Sequence, residues 1–181
     1  MFYSLQSEGV HAGVPAVFIR FASLPGSGGF DGQREFPVCD RLTANEVAKL
    51  ARICSFRCKW AVLTGAEPAL QLDANLVDAL HESGFNVAIE TGGMIALDKF
   101  SLDWIAISPE PGSELRVNDA DEIRYLIRDG DPIPIPPVRA RNYVLLPAPD
   151  GDQTDSRNLE WCIRLVKKHP QWRLSTPRRK V

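Results

Sequence analysis

Residues 59–91, KWAVLTGAEPALQLDANLVDALHESGFNVAIET, hold the pattern that decides the fold. Lys59 to Thr64 is a short apolar run that reads as a buried strand, and the turn Gly65-Ala66-Glu67-Pro68 closes it. Asp73 is a good helix cap, Leu76, Val77 and Leu80 recur at helical spacing, and Gly84 stands where a left-handed terminator is expected. Phe85 to Thr91 is apolar and β-branched again, a second strand. Apolar strands alternating with amphipathic helices belong to a parallel sheet covered by helices.

The same alternation runs outward in both directions. Val14 to Ala22 (VPAVFIRFA) reads as a strand and opens into a long glycine-rich loop from Ser23 to Asp40. Thr43 and Glu46 form a capping box for a helix whose inner face is expected to be Val47, Leu50 and Ala51. Trp104 to Ser108 is the next strand. Asp119 is expected to begin a short helix with Ile123, Leu126 and Ile127 inside. Asn142 to Pro147 is a strand, Ser156 to Lys168 a helix facing inward with Leu159, Ile163 and Val166, and Trp172 to Ser175 a last strand. The run PIPIPP at 132–137 is a connector, because proline cannot sit in a central strand. About six parallel strands are too few for a closed eight-unit barrel of about 250 residues. The expected architecture is a shortened, open β/α partial barrel forming a single domain over residues 1–181.

Composition excludes several classes. The chain has 181 residues, 44% of them hydrophobic, with 21 basic against 23 acidic side chains. A disordered chain would be less apolar and more highly charged. No uncharged apolar run approaches the roughly 18 residues of a membrane span. The N-terminal residues MFYSLQSEGVHAG lack the layout of a secretion signal, so a cytoplasmic protein is expected, with no membrane partner. Nor is a nucleic-acid partner expected, although the tail RLSTPRRKV is locally basic. Four cysteines, at 39, 54, 58 and 162, are either buried filler or ligands of a metal or cluster.

In parallel α/β sheets, ligands sit beyond the C-terminal strand ends. That rule nominates Ser23 with the glycine loop, Gly65 to Pro68, Glu90 to Gly93, Ser108 to Glu110 and Pro147 to Asp150 as one rim. Each has a plain reading beside the functional one. Gly65-Ala66-Glu67-Pro68 is a turn with proline at the first helical position, or a backbone and carboxylate that bind a ligand's ammonium group. Glu90-Thr91-Gly92-Gly93 is a turn, or an approach for a nucleoside. Gln6-Ser7-Glu8-Gly9 is surface loop unless the N-terminal segment folds over the rim. Arg20, a charge inside an apolar strand, is a structural ion pair or an anchor for an anion. No catalytic triad, zinc-protease helix or phosphate loop is present, and His11, His81 and His169 make poor general bases.

Several segments together are similar to the 7-carboxy-7-deazaguanine synthase family, radical S-adenosylmethionine enzymes of the 7-deazapurine (queuosine) pathway. They are FYSLQSEG at 2–9, GVPAVFIRFA at 13–22, Cys39-Asp40, LTGAEPALQLD at 63–73, ALHESGFNVAIETGG at 79–93, DWIAISPEPG at 103–112 and HPQWRLS at 169–175. They occur in the family order and span nearly the whole chain. The resemblance implies a radical S-adenosylmethionine-type partial barrel, a homodimer, and a lyase-type conversion of 6-carboxy-5,6,7,8-tetrahydropterin to 7-carboxy-7-deazaguanine. It also implies a [4Fe–4S] cluster, S-adenosylmethionine and magnesium. By the same resemblance, Gln6, Glu8, Arg20 and Thr64 would contact the pterin, and Gly65, Ala66, Glu67, Thr91, Gly92 and Ser108 the S-adenosylmethionine.

The cluster ligands depart from the family pattern. Its three cysteine positions correspond to Leu24, Phe36 and Cys39, so Cys39, beside Asp40, is the only surviving metal position. Arg41 stands where the family has a magnesium-associated threonine, and Arg179 where it has a substrate-contacting histidine. One thiolate cannot retain the cluster. Cys54 and Cys58 are expected at the far end of the barrel, and Cys162 in the core. The expectation is a synthase homologue without radical activity that takes a pterin, deazapurine or nucleoside ligand. The alternatives are an active synthase with unconventional ligands and a non-catalytic dimerising or regulatory subunit.

Overall fold

The computed structural model describes residues 1–22, 40–151 and 153–176. Its main sheet runs β1 (Phe2–Leu5), β2 (Pro15–Phe21), β3 (Trp60–Gly65), β4 (Asn86–Thr91), β5 (Trp104–Ile107), β6 (Asp119–Ile127) and β7 (Arg139–Pro147), and ends on β10 (Trp172–Leu174). A small antiparallel pair, β8 (Pro149–Asp150) and β9 (Gln153–Thr154), lies between β7 and β10 in sequence. β1 pairs antiparallel with β2; every other pairing in the main sheet is parallel. β1 and β10 remain at opposite edges, so the sheet is open.

Three helices cover parts of one face: α1 (Ala44–Cys54), α2 (Ala74–Glu82) and α3 (Ser156–Lys168). The expected caps are present. Thr43 and Glu46 form the reciprocal capping box, Asp73 accepts from the Leu76 N–H, and Gly84 has φ +78°. Val17, Ile19, Leu63, Val87, Ile89 and Ile123 alternate along their strands beneath α1 and α2, together with Leu76, Val77 and Leu80 of α2. Leu145, Cys162, Leu165 and Trp172 form a second core under α3. Among the described residues, no helix is long and apolar enough to cross a membrane.

Three expectations are corrected. Residues 119–127 are strand β6, not a helix. Ile123 and Ile127, buried beside the half-buried Tyr125, obey the two-residue period of a strand, and Leu126 is 58% exposed. β6 brings the parallel strands to seven, with β1 added antiparallel. Leu50 and Ile163 face outward, because α1 seats on Ala48 and Ala51 and α3 on Cys162 and Leu165. Helical connections are therefore fewer than expected, and the proline-rich stretch links β6 to β7 without one.

The opposite face of the sheet carries the side chains of alternate register. Ala16, Phe18, Val62 and Ala88 form a small apolar layer flanked by Trp60 and Trp104. His11, in the turn after β1, packs tilted against both indoles, with ring centroids 4.8 Å from Trp60 and 4.1 Å from Trp104. Burial among them pulls its imidazole below the ordinary histidine range, against the pull of Glu122. Toward the C-terminal strand ends this layer gives way to polar groups.

Candidate functional site at the strand ends

Two clusters of polar side chains form where β3, β4 and β6 present their C-terminal halves. The first is organised by Glu67, which caps the 3-10 turn Pro68–Leu70. Its Oε1 accepts from the Ala69 N–H at 3.1 Å and the Thr91 hydroxyl at 2.6 Å, and its Oε2 from the Gly92 N–H at 3.0 Å. Thr91 Oγ1 in turn accepts from the Gly93 N–H at 3.1 Å, and the Ser108 N–H donates to the Thr91 carbonyl at 2.9 Å. Gly65, at φ +134°, lies so close to β2 that a Cβ there would meet the Phe21 carbonyl at 2.4 Å. Thus Gly65, Ala66, Glu67, Thr91, Gly92 and Ser108 belong to adjacent turns of one rim. Glu67 joins two of those turns, a structural duty its sequence alone did not disclose.

The second cluster centres on Glu90 and Arg124. Glu90 Oε1 accepts from Gln6 Nε2 at 2.6 Å and from Arg124 Nη1 at 2.8 Å, and Oε2 accepts from the Thr64 hydroxyl at 3.1 Å. Arg124 Nε also donates to Glu122 Oε1 at 2.5 Å, and Nη1 lies 3.3 Å from Glu8 Oε1. The N-terminal segment is therefore not a free surface loop: it starts beside Pro15 at the N-terminal end of β2, packs His11 against Trp60 and Trp104 at the starts of β3 and β5, and crosses the inner sheet face to reach Glu90 and Arg124. Its backbone is closed by bonds from Gln6 N–H to the Val14 carbonyl and from Gly13 N–H to the Gln6 carbonyl. Gly9 N–H reaches Ser175 Oγ at 2.8 Å, and Val10 N–H reaches Glu122 Oε2 at 3.0 Å.

Burial and charge pull the carboxylates of Glu8 and Glu90 in different directions. Burial raises Glu8 above the ordinary carboxylate range, with Arg124 opposing. Burial also pushes Glu90 upward, but Arg124, Gln6 and Thr64 hold it below that range. Although burial works against its charge, Arg124 is kept firmly protonated by Glu90, Glu122 and Glu8. Between the polar cluster and the apolar layer lies a cleft lined by Gln6, His11, Trp60, Glu90, Trp104 and Arg124. Trp104 Nε1 is buried there with no acceptor among the described residues.

Arg20 is half-buried on β2, paired in register with Thr64 and on the same strand face as Ala16 and Phe18. Cys39 lies outside the described residues, as do Ser23 with the glycine loop, Leu24, Phe36 and Arg179; Asp40 and Arg41 are exposed. The other three cysteines are spread across the molecule. Cys54 is exposed at the end of α1. Cys58 is buried at the N-terminal ends of β2 and β3, its thiol donating to the Pro15 and Trp60 carbonyls. Cys162 is fully buried in the α3 core, which pushes its thiol up to about 11. Among the described residues, no three His, Cys, Asp or Glu side chains are grouped so as to hold a metal ion.

Glu122 and Arg124 are the site residues that sequence reasoning missed. The signal was available in the alternation Ile123, Tyr125, Ile127, which places Glu122 and Arg124 together on the opposite face.

The fold and site define an open, mostly parallel α/β partial barrel with a polar cluster at the C-terminal strand ends. A 7-carboxy-7-deazaguanine synthase from Bacteroides thetaiotaomicron is 37% identical over the whole chain and 94% of its own length. The Burkholderia multivorans enzyme of the same name is 36% identical over 97% of the chain and 92% of its length. The chain thus belongs to the 7-carboxy-7-deazaguanine synthase family. The crystal structure of QueE from Escherichia coli superposes with a TM-score of 0.71 over 97% of this chain and 91% of that one, at 22% identity. No protein-family model matches the chain.

Proposed function

We propose that this protein keeps the ligand-binding end of the synthase site and performs no radical step. One observation carries the binding half: Gln6, Thr64 and Arg124, from three separate parts of the chain, converge on the single carboxylate of Glu90. Such a cluster suits a heterocycle rich in N–H donors, which the acidic oxygens of Glu8 and Glu90 would accept. Arg20 would meet an anionic substituent. The ligand class is a 6-carboxytetrahydropterin or a deazapurine related to it.

S-adenosylmethionine fits the neighbouring turns. Gly65, Ala66 and Glu67 would hold its amino and carboxylate ends, and Thr91, Gly92 and Ser108 its nucleoside. Three of the four lone-pair directions of Glu67 are already taken by backbone and hydroxyl donors, which leaves one for an ammonium group.

The cluster does not fit the donors. A [4Fe–4S] centre in this family would need three thiolates near Cys39. Cys58 is bonded at the opposite strand ends, Cys162 is sealed in the α3 core, and Cys54 ends α1. Magnesium at Asp40 would face the cationic neighbour Arg41. No step is therefore routed through either group. The protein would act in the cytoplasm as a homodimer that binds its ligand without turning it over.

Anaerobic calorimetry with 6-carboxy-5,6,7,8-tetrahydropterin and with S-adenosylmethionine tests this reading. Saturable heat is expected for both, weakened by Thr64→Val for the pterin and by Glu67→Ala for S-adenosylmethionine. Folded protein that takes neither ligand contradicts the binding site and favours a purely interacting subunit.

A further inference from the structure

The segment from Gln6 to Val14 has no helix or strand of its own, yet Gln6, His11 and Val14 line the cleft and Glu8 reaches Arg124 beside it. Its position comes from β6. Glu122, fully buried, accepts both Arg124 Nε and the Val10 N–H, so one carboxylate ties the strand's guanidinium to the segment's backbone. Arg124, 3% exposed, then spans from Glu122 to Glu90 on β4 and to Glu8 on the segment itself. Gly9 sits against this pair with φ +81°. A Cβ there would come within 2.1 Å of Glu122 Oε1 and 2.7 Å of Arg124 Nη2. The backbone therefore rests on the ion pair, where only glycine fits.

Removing the guanidinium would leave three carboxylates facing one another in a buried space, where like charges repel strongly. Glu8, on a segment without helix or strand, is the carboxylate whose backbone can yield, whereas Glu90 and Glu122 stand on β4 and β6. The groups facing it are Arg124, Glu90 and Glu122.

We infer that Arg124 is a positioning residue: anchored by Glu122, it straps residues 6–14 against the inner face of the sheet and sets the placement of Glu8 and Glu90 toward a ligand. The ligand-facing half rests on the proposed pterin reading; the strap itself does not. Arg124 touches no reacting atom and acts through the two carboxylates.

The test compares the full chain with Arg124→Met, Arg124→Lys and Glu122→Gln. Amide hydrogen exchange is read at Gly9 and Val10, carboxyl titration by NMR at Glu8 and Glu90, and anaerobic binding with 6-carboxy-5,6,7,8-tetrahydropterin. In Arg124→Met, exchange at Gly9 and Val10 is expected to accelerate while the α2 amides stay protected. The Glu8 and Glu90 titrations should move upward. Pterin affinity should fall by about tenfold or more, the loss of a charge-assisted contact. Arg124→Lys should recover part of all three, which a loss of packing alone would not allow. If Arg124→Met fails to fold, Glu122→Gln is expected to give the same local acceleration in milder form. Unchanged exchange and unchanged carboxyl titrations in a folded variant overturn the inference, whatever the pterin does. Wild-type protein that ignores the pterin, with the strap still loosened in Arg124→Met, supports the inference and counts only against the functional reading.

Discussion

Gln6 Nε2 donates to Glu90 Oε1 at 2.6 Å, joining residues 84 positions apart. The bond fastens a loop that has no regular structure to the end of a central strand. Loops held on a rigid sheet in this way are where binding groups concentrate. The polar rim is thus a tertiary construction, dependent on a few contacts whose loss can be measured.

Glu90 is the node of that construction. Glu90→Gln keeps the shape but removes the charge that pairs with Arg124, and it turns one acceptor oxygen into a donor. A destabilisation of about 1.5–3 kcal/mol is expected in urea unfolding, the range for hydrogen bonds to charged groups. An unchanged midpoint would show that Glu90 is not held as described.

Thr91 links Glu67 to Gly93 through one hydroxyl. Thr91→Val preserves volume but strips the donor to Glu67 and orphans the buried Gly93 N–H. The cost should be about 1–3 kcal/mol, with weaker S-adenosylmethionine binding in calorimetry. Loss of stability is the primary readout, because it follows from the observed bonds alone.

Gly9 and Gly112 both have φ near +80°, but only Gly9 is crowded. Gly112→Ala should cost about 1–2 kcal/mol for the left-handed conformation alone. Gly9→Ala adds a collision with the Glu122–Arg124 pair, so its thermal midpoint should fall well below that of Gly112→Ala. Equal losses would mean that the segment does not rest on the ion pair.

The carboxylates make opposite contributions with pH. Glu90, Glu46 and Asp155 all lie below the ordinary carboxylate range, so the stability they supply is present above that range. It is lost as pH falls through their lowered values. Glu8, raised by burial, runs the other way and favours the folded state most when protonated. Thermal midpoints followed from pH 7 to about pH 3 should therefore fall on acidification. The slope should be shallower in Glu90→Gln, and a slope equal to wild type would contradict the assignment.

Much of this architecture was legible in the sequence, because the helix-covered face obeys simple rules. Thr43, Asp73 and Gly84 mark helix ends, and Leu76, Val77 and Leu80 mark an inner stripe. The failure at β6 has a physical cause. Ile123, Leu126 and Ile127 satisfy a helical period as well as Ile123, Tyr125 and Ile127 satisfy a strand period. Glu122 and Arg124 then tip the choice, since two charges suggest solvent. They are buried because each satisfies the other. The strand-end part of the site is legible in the sequence, whereas the course of the N-terminal segment along the inner sheet face is not. Its anchors, Ser175 and Glu122, lie more than a hundred residues away in sequence, beyond the reach of any local pattern.

The central claim is a family site that binds without an iron–sulfur cluster. Its most direct test is anaerobic reconstitution with iron and sulfide, followed by iron and acid-labile sulfide analysis and Mössbauer spectroscopy. The account predicts substoichiometric iron with no [4Fe–4S] signature, unchanged in Cys54→Ala and Cys58→Ala. One intact [4Fe–4S] cluster per chain, lost when those cysteines are replaced, would contradict it.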